Sequence, residues 1–141
     1  MKAGVENKLL AVVRIRGGVK VRQEIKETLS RLNLDRVNNL SLVFGTKSNI
    51  GMIKKCNDFV TYGEITEEKL SALLNRKKFE ISKEDIKEIS AGKLKPREKI
   101  NMPIRMSPPK GGYKGIKRSF SQGGALGYRG DAISALLEKM N

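Results

Sequence analysis

Histidine is absent from the 141-residue sequence. That removes the commonest general base, most zinc sites and the usual Ser or Cys triads. The single cysteine, Cys56, cannot form an internal disulfide, and nothing argues for an oxidising compartment. Long apolar runs are missing too. The longest aliphatic stretch, residues 9–13, is far below the ~20 residues of a membrane helix and short for a signal-peptide core. The expectation is a soluble, cytoplasmic protein with no membrane partner. Acid is also scarce: 15 Asp and Glu stand against 29 Lys and Arg, for a net charge of +14. Self-repulsion on that scale points to a polyanionic partner, of which nucleic acid is the commonest.

What is present is enough for one domain, since domains cluster near ~100–150 residues and a chain this long buries about two-thirds of its unfolded surface. The hydrophobic share of 38% is low without reaching the disordered extreme. Residues 9–16 start apolar on both faces and end in alternation, with Val13 and Ile15 on one side and Arg14 and Arg16 on the other. This predicts a central strand emerging into solvent, broken by Gly17 and Gly18. Val21, Ile25, Leu29 and Leu32 then form one helical stripe. Leu40, Leu42, Val43 and Phe44 predict a second strand. Thr46 or Ser48 caps a second helix carrying Ile50, Ile53 and Cys56. Residues 59–62 predict a third strand closed by Gly63. The order β-α-β-α-β implies helices packed on one small sheet.

Two covering helices are predicted next. Thr66 caps one with Leu70, Leu73 and Leu74, and Ser82 the other, with Ile81 and Ile86 spaced as a hydrophobic staple. After Gly92 the composition turns basic and then glycine-rich, with seven glycines in residues 107–130. A last helix, capped by Asp131, carries Ile133, Leu136, Leu137 and Met140 on one stripe. Its docking tethers the basic segment at both ends. Lack of bulky apolar groups in residues 110–129 predicts that this segment is mobile alone and ordered by its partner. The expected division is a core over residues 1–63, a helical insertion over 64–92 and a basic extension over 93–141, all in one compact domain.

Three constellations bear on binding. In the glycine-rich segment, Lys110, Lys114, Lys117, Arg118 and Arg129 can neutralise phosphates. Gly111 and Gly112 allow close backbone approach there, and Tyr113 and Tyr128 can stack on bases. A second basic cluster, Arg14, Arg16, Gly17, Gly18, Lys20 and Arg22, sits at the first strand–helix junction, where a helix N-terminus would add donors. Thr46, Lys47, Ser48, Asn49 and Gly51 open the second helix, either as an anion contact or as plain capping. Against these, Gly124, Gly127 and Gly130 do not have the G-x-G-x-x-G spacing, and no phosphate-loop motif occurs. The acidic pairs Glu67/Glu68 and Glu84/Asp85 fall in first helical turns, where they offset the dipole. Cys56 reads as a buried small hydrophobe. No catalytic residue, cofactor, metal or small-molecule substrate is expected.

Several runs together resemble a known family. Residues 10–18 read LAVVRIRGG, 37–40 read VNNL and 49–53 read NIGMI. They are similar to the universal large-subunit ribosomal protein family "L thirty". Residues 107–118, SPPKGGYKGIKR, and 123–130, GGALGYRG, resemble its archaeal form and the eukaryotic relative "L seven". The resemblance implies an α/β (α+β) βαβαβ core with a three-stranded antiparallel sheet, related to ferredoxin-like folds. It implies a structural, non-enzymatic role in the large ribosomal subunit. The partners would be large-subunit ribosomal RNA near 5S RNA and neighbouring ribosomal proteins. By position it maps RNA contact to the junction at residues 14–20 and to residues 110–129. The alternative is an RNA-binding regulator acting away from ribosomes.

Overall fold

The computed structural model describes residues 8–17, 22–32, 34, 36–76, 83–91, 104–106, 109, 124, 126–130 and 132–140. Three strands form the centre of the sheet: β1 (Leu9–Arg14), β2 (Asn39–Phe44) and β3 (Val60–Glu64). β1 lies in the middle, antiparallel to both neighbours, with Leu10 opposite Val43 and Glu64. The expected three-stranded antiparallel core is therefore present, with a two-residue strand added at each edge. β4 (Ile104–Arg105) pairs antiparallel with β2, and β5 (Gly127–Tyr128) pairs parallel with β3. The order is β4-β2-β1-β3-β5, a mixed sheet.

Both faces of the sheet are covered, and β1 is buried along its whole length. Leu9, Ala11 and Val13 point to one face, where α3 (Glu67–Arg76), α4 (Lys83–Ala91) and α5 (Ala132–Lys139) supply Leu70, Leu74, Ile89, Ile133 and Leu137. Leu10 and Val12 point to the other, where α1 (Gln23–Arg31) and α2 (Lys47–Lys55) supply Leu29, Ile50 and Ile53. Continuous burial explains why β1 opens with an unbroken apolar run. Leu29 and Leu32 are each 1% exposed, as the stripe on the first helix requires.

Local chemistry sets the helix boundaries. The Thr46 hydroxyl accepts from the Asn49 amide at 3.2 Å, so Thr46 caps α2. The Thr66 hydroxyl accepts from the Lys69 amide at 3.4 Å and starts α3. Val21, Ile81, Ser82 and Asp131 lie outside the described residues.

Two expectations change. Gly63 does not close β3; it is inside the strand. A Cβ there would strike the Gly130 carbonyl and come within 2.9 Å of the Ile133 side chain. Glycine is what lets α5 dock against β3. Leu126 is buried and residues 127–128 pair with β3, so this end of the glycine-rich segment is held in the free chain.

Candidate nucleic-acid interface

Strand register defines two ends of the sheet. At one of them β1 finishes at Arg14, opposite the first residue of β3, and β2 begins at Asn39 opposite Arg105 at the close of β4. β5 starts at the same end, with Gly127 beside Thr61. The loops confirm the grouping. The Asn38 amide donates to the Arg14 carbonyl at 2.8 Å, and the Met106 amide donates to the Asn38 carbonyl at 3.1 Å. Ile15 packs on Leu126, both buried. The Ile15 and Arg16 amides both donate to the Phe59 carbonyl, at 2.9 and 3.2 Å. Met106 and Leu126 flank the basic glycine-rich stretch in sequence, so the chain leaves β4 and returns to β5 at this same end of the sheet, on its opposite edges, with Met106 bonded to Asn38 and Leu126 packed on Ile15.

Neighbouring arginines at this exit do opposite things. Arg14 is 5% exposed. Its Nε donates to the Arg16 carbonyl at 3.0 Å and a terminal nitrogen donates to the Leu34 carbonyl at 2.8 Å. Its alternation with Val13 predicts a solvent face, but that face is covered by α1 and α2. Arg16 is only half-buried. Its guanidinium lies over the Phe59 ring, 5.2 Å from the centroid, and donates to the Asp58 carbonyl at 3.4 Å. Gly17 is exposed. Leu34 also donates its amide to the Leu29 carbonyl at 2.8 Å, which brings the C-terminal end of α1 beside Arg14. The partial negative charge of that helix end suits a buried guanidinium.

The N-terminus of α1, with exposed Arg22, is about 13 Å further along the helix and is not the donor group expected at this junction. Lys47, also exposed, opens α2 at the opposite end of the sheet, where the Gly45 amide donates to the Lys8 carbonyl at 2.8 Å. Tyr128 and Arg129 are half-buried and engaged in fixing β5. Tyr128 packs on Tyr62 with ring centroids 5.6 Å apart, and its hydroxyl donates to a Glu64 carboxylate oxygen at 3.0 Å. Arg129 Nε donates to the Thr61 hydroxyl at 2.7 Å, and that hydroxyl donates to the Gly127 carbonyl at 2.9 Å. Gly18, Lys20, Lys110, Gly111, Gly112, Tyr113, Lys114, Lys117 and Arg118 lie outside the described residues.

Residues that hold this end together include some that sequence patterns did not single out. Asn38 adopts φ 68°, a left-handed backbone that asparagine tolerates better than most residues. It turns the chain into β2 and ties β1 to Met106. Phe59 supplies both the carbonyl that ends β1 and the ring beneath Arg16.

Titration does not point to chemistry. Burial pushes the Cys56 thiol up to about 11, against smaller lowering by its own backbone hydrogen bond and by Arg14. A protonated, buried thiol is inert as a nucleophile. Among the described residues no cluster of potential metal ligands occurs, and no helix is long and apolar enough to cross a membrane.

Comparison with known proteins bears on this arrangement directly. The family model "Ribosomal protein L30p/L7e" matches residues 10–60, from β1 to the first residue of β3. "Large ribosomal subunit protein uL30" of Methanoculleus marisnigri is 41% identical over 152 aligned positions, covering 94% of this chain and 99% of that protein. The chain belongs to the L30p/L7e family of ribosomal proteins. The protein of the same name from Thermoplasma acidophilum is 38% identical, across 94% of this chain and 92% of its own length. That from Nanoarchaeum equitans is 40% identical, across 92% and 96%. Family membership agrees with the resemblance read from the motifs, and these archaeal relatives are named as ribosomal proteins, not as enzymes. Their alignment runs well past residue 60, so the basic extension is part of what is shared.

Proposed function

We propose that this chain is a structural constituent of the large ribosomal subunit that binds large-subunit ribosomal RNA at the β1 exit. The reading rests on one observation above all. Arg16 and Gly17 sit at the end of the sheet where the chain leaves β4 at Met106 and returns to β5 at Leu126, so both flanks of the basic glycine-rich stretch open on the side where β1 exits. Arg16, Gly17, Gly18 and Lys20, together with Lys110, Gly111, Gly112, Tyr113, Lys114, Lys117 and Arg118, contact phosphates and bases. Arg14 is a positioning residue: from inside, it holds the Arg16 carbonyl and the end of α1. Tyr128 and Arg129 anchor the returning chain and leave contact to the residues before them. Arg22 and Lys47 add charge at the far ends of their helices.

The physical task is to lower repulsion where folded RNA crowds its phosphates. Lysines and arginines displace counterions, and recognition is mainly by backbone and shape. A site near 5S RNA, with ribosomal proteins as neighbours, is the family-based part of this proposal. If the surface neutralises about six to ten phosphates, affinity for large-subunit RNA falls ~10³–10⁵-fold between about 50 and 200 mM salt. Affinity that is flat over that range overturns a phosphate-dominated interface. Sedimentation adds a second check: the protein stays with the large subunit through moderate salt. Loss from subunits with retention on another RNA would favour a regulator acting away from the ribosome.

A further inference from the structure

α2 carries a glycine that nothing within the described chain requires. Gly51 is at the middle of a nine-residue helix, a position where glycine is the least favourable residue after proline. It is exposed, and a Cβ built there would meet no atom within 4 Å. Gly63, by contrast, is a glycine with a neighbour pressed against it. Around Gly51, the residues three and four positions away on either side are Lys47, Ser48, Lys54 and Lys55, and all four are exposed. That spacing puts them on one face of the helix, turned away from the buried Ile50 and Ile53 side. The stripe is two turns long, about 12 Å, with three ammonium groups, a hydroxyl and a hollow at its centre. α2 contains no acidic residue.

We propose that the outer stripe of α2 is a second docking surface for the sugar–phosphate backbone of RNA, with Gly51 as the point of closest approach. Lys47, Lys54 and Lys55 neutralise phosphates on either side, and the Ser48 hydroxyl donates to one. The hollow brings the backbone nearer to the helix than any side chain would allow, which shortens every lysine–phosphate distance. The stripe suits RNA more than a protein partner because it has three cations, no acid and no exposed apolar side chain. This inference rests on the reading of the chain as an RNA binder, and it extends the contact region along α2, whose C-terminal end leads to Asp58 and Phe59 at the β1 exit.

The test uses the full chain and protein-free large-subunit ribosomal RNA, with retention measured at about 0.1 M salt. Gly51→Ala keeps the fold, and its melting temperature is unchanged or a few degrees higher, because alanine favours the helix. Its RNA affinity falls about tenfold, and that of Gly51→Gln falls further. Lys54→Gln with Lys55→Gln lowers affinity and makes the salt dependence shallower by roughly two phosphates. Ala72→Gln, on the exposed side of α3, leaves affinity unchanged. Wild-type affinity in Gly51→Gln, with wild-type protein binding normally, overturns this inference and leaves the β1-exit reading standing. No binding by the wild-type protein overturns both. Intact RNA affinity in Gly51→Gln, with loss of binding to isolated ribosomal proteins, assigns the stripe to a protein and also overturns it.

Discussion

The two helical layers on this sheet are built alike inside and differ outside. Each buries aliphatic side chains of equal quality: Leu29, Leu32 and Ile53 on one side, Leu70, Leu74 and Ile133 on the other. On the outer surfaces, α1 with its N-cap and α2 carry Arg22, Lys26, Arg31, Lys47, Lys54 and Lys55 against Glu24 and Glu27. α3, α4 and α5 carry Lys69, Arg76, Lys83, Lys87 and Lys139 against Glu67, Glu68, Glu84, Asp85, Glu88 and Glu138. A chain of net charge +14 thus keeps one described helical layer slightly acidic. Burial supplies folding energy on both sides, so the sign of the outer charge is free to serve a partner. Under the proposed function, the difference gives the protein a side that RNA approaches and a side that it does not.

Truncating each core tests the likeness, and it has the largest expected effect. Leu29→Ala and Leu70→Ala should each cost about 2–5 kcal/mol by urea titration. A loss below ~0.5 kcal/mol for either would make that layer a loose cover instead of half of the core.

The arginines at the β1 exit give the next contrast. Arg14→Ala leaves the buried Leu34 carbonyl and the part-buried Arg16 carbonyl without their donor and should destabilise by about 1–3 kcal/mol. Arg16→Ala should stay within ~0.5 kcal/mol of the parent and instead weaken RNA binding. The reverse pattern would exchange their roles.

Alkali should separate the layers, since Cys56 and Tyr62 both lie in the core beneath α1 and α2. Burial, with a smaller contribution from Tyr128, pushes the Tyr62 phenol up to about 12. The native state therefore holds both protons more tightly than the unfolded chain. Their stabilisation is complete below about pH 9 and is lost as pH rises through about 11 for Cys56 and about 12 for Tyr62. Going from pH 8 to pH 10 should cost about 1–2 kcal/mol, read by urea titration. Cys56→Ala should flatten the profile, whatever its own cavity costs; an unchanged slope would exclude the thiol as its source.

Exchanging surface charge tests the difference itself, and here the expected effect is smallest. Replacing Lys26, Lys54 and Lys55 together by Gln should cut RNA affinity about tenfold at ~0.1 M salt, equal to about 1.4 kcal/mol. Replacing Lys69, Lys83 and Lys87 should change it less than twofold. Equal losses would mean that RNA senses net charge and not a face.

Much of this was legible in the sequence, for identifiable reasons. Apolar stripes at helical spacing located α1, α3 and α5, and the hydroxyls of Thr46 and Thr66 marked helix starts because capping is local chemistry. β4 and β5 were not legible: two residues carry no periodicity, and their pairing depends on partners far away in sequence. In the sequence Gly63 looks like a terminator, because a glycine demanded by tertiary contact looks the same as one that ends a strand. Simple alternation puts Arg14 outside, and it fails where a strand is covered on both faces. That both flanks of the glycine-rich stretch reach the end of the sheet where Arg16 sits is likewise a product of register, and no local pattern announces it.

Cys56 gives the molecule a gauge of its own opening. It is the sole thiol in the chain, fully buried at the C-cap of α2, and its Sγ donates to the Met52 carbonyl at 3.3 Å. Alkylating reagents attack only the thiolate, so at neutral pH they see this residue in those moments when the layer beneath α2 lifts. When reclosing outruns the chemistry, the labelling rate counts the open fraction with no denaturant and no engineered reporter site. Comparing that rate for free protein and for protein seated on RNA would weigh how firmly the partner clamps the basic layer shut.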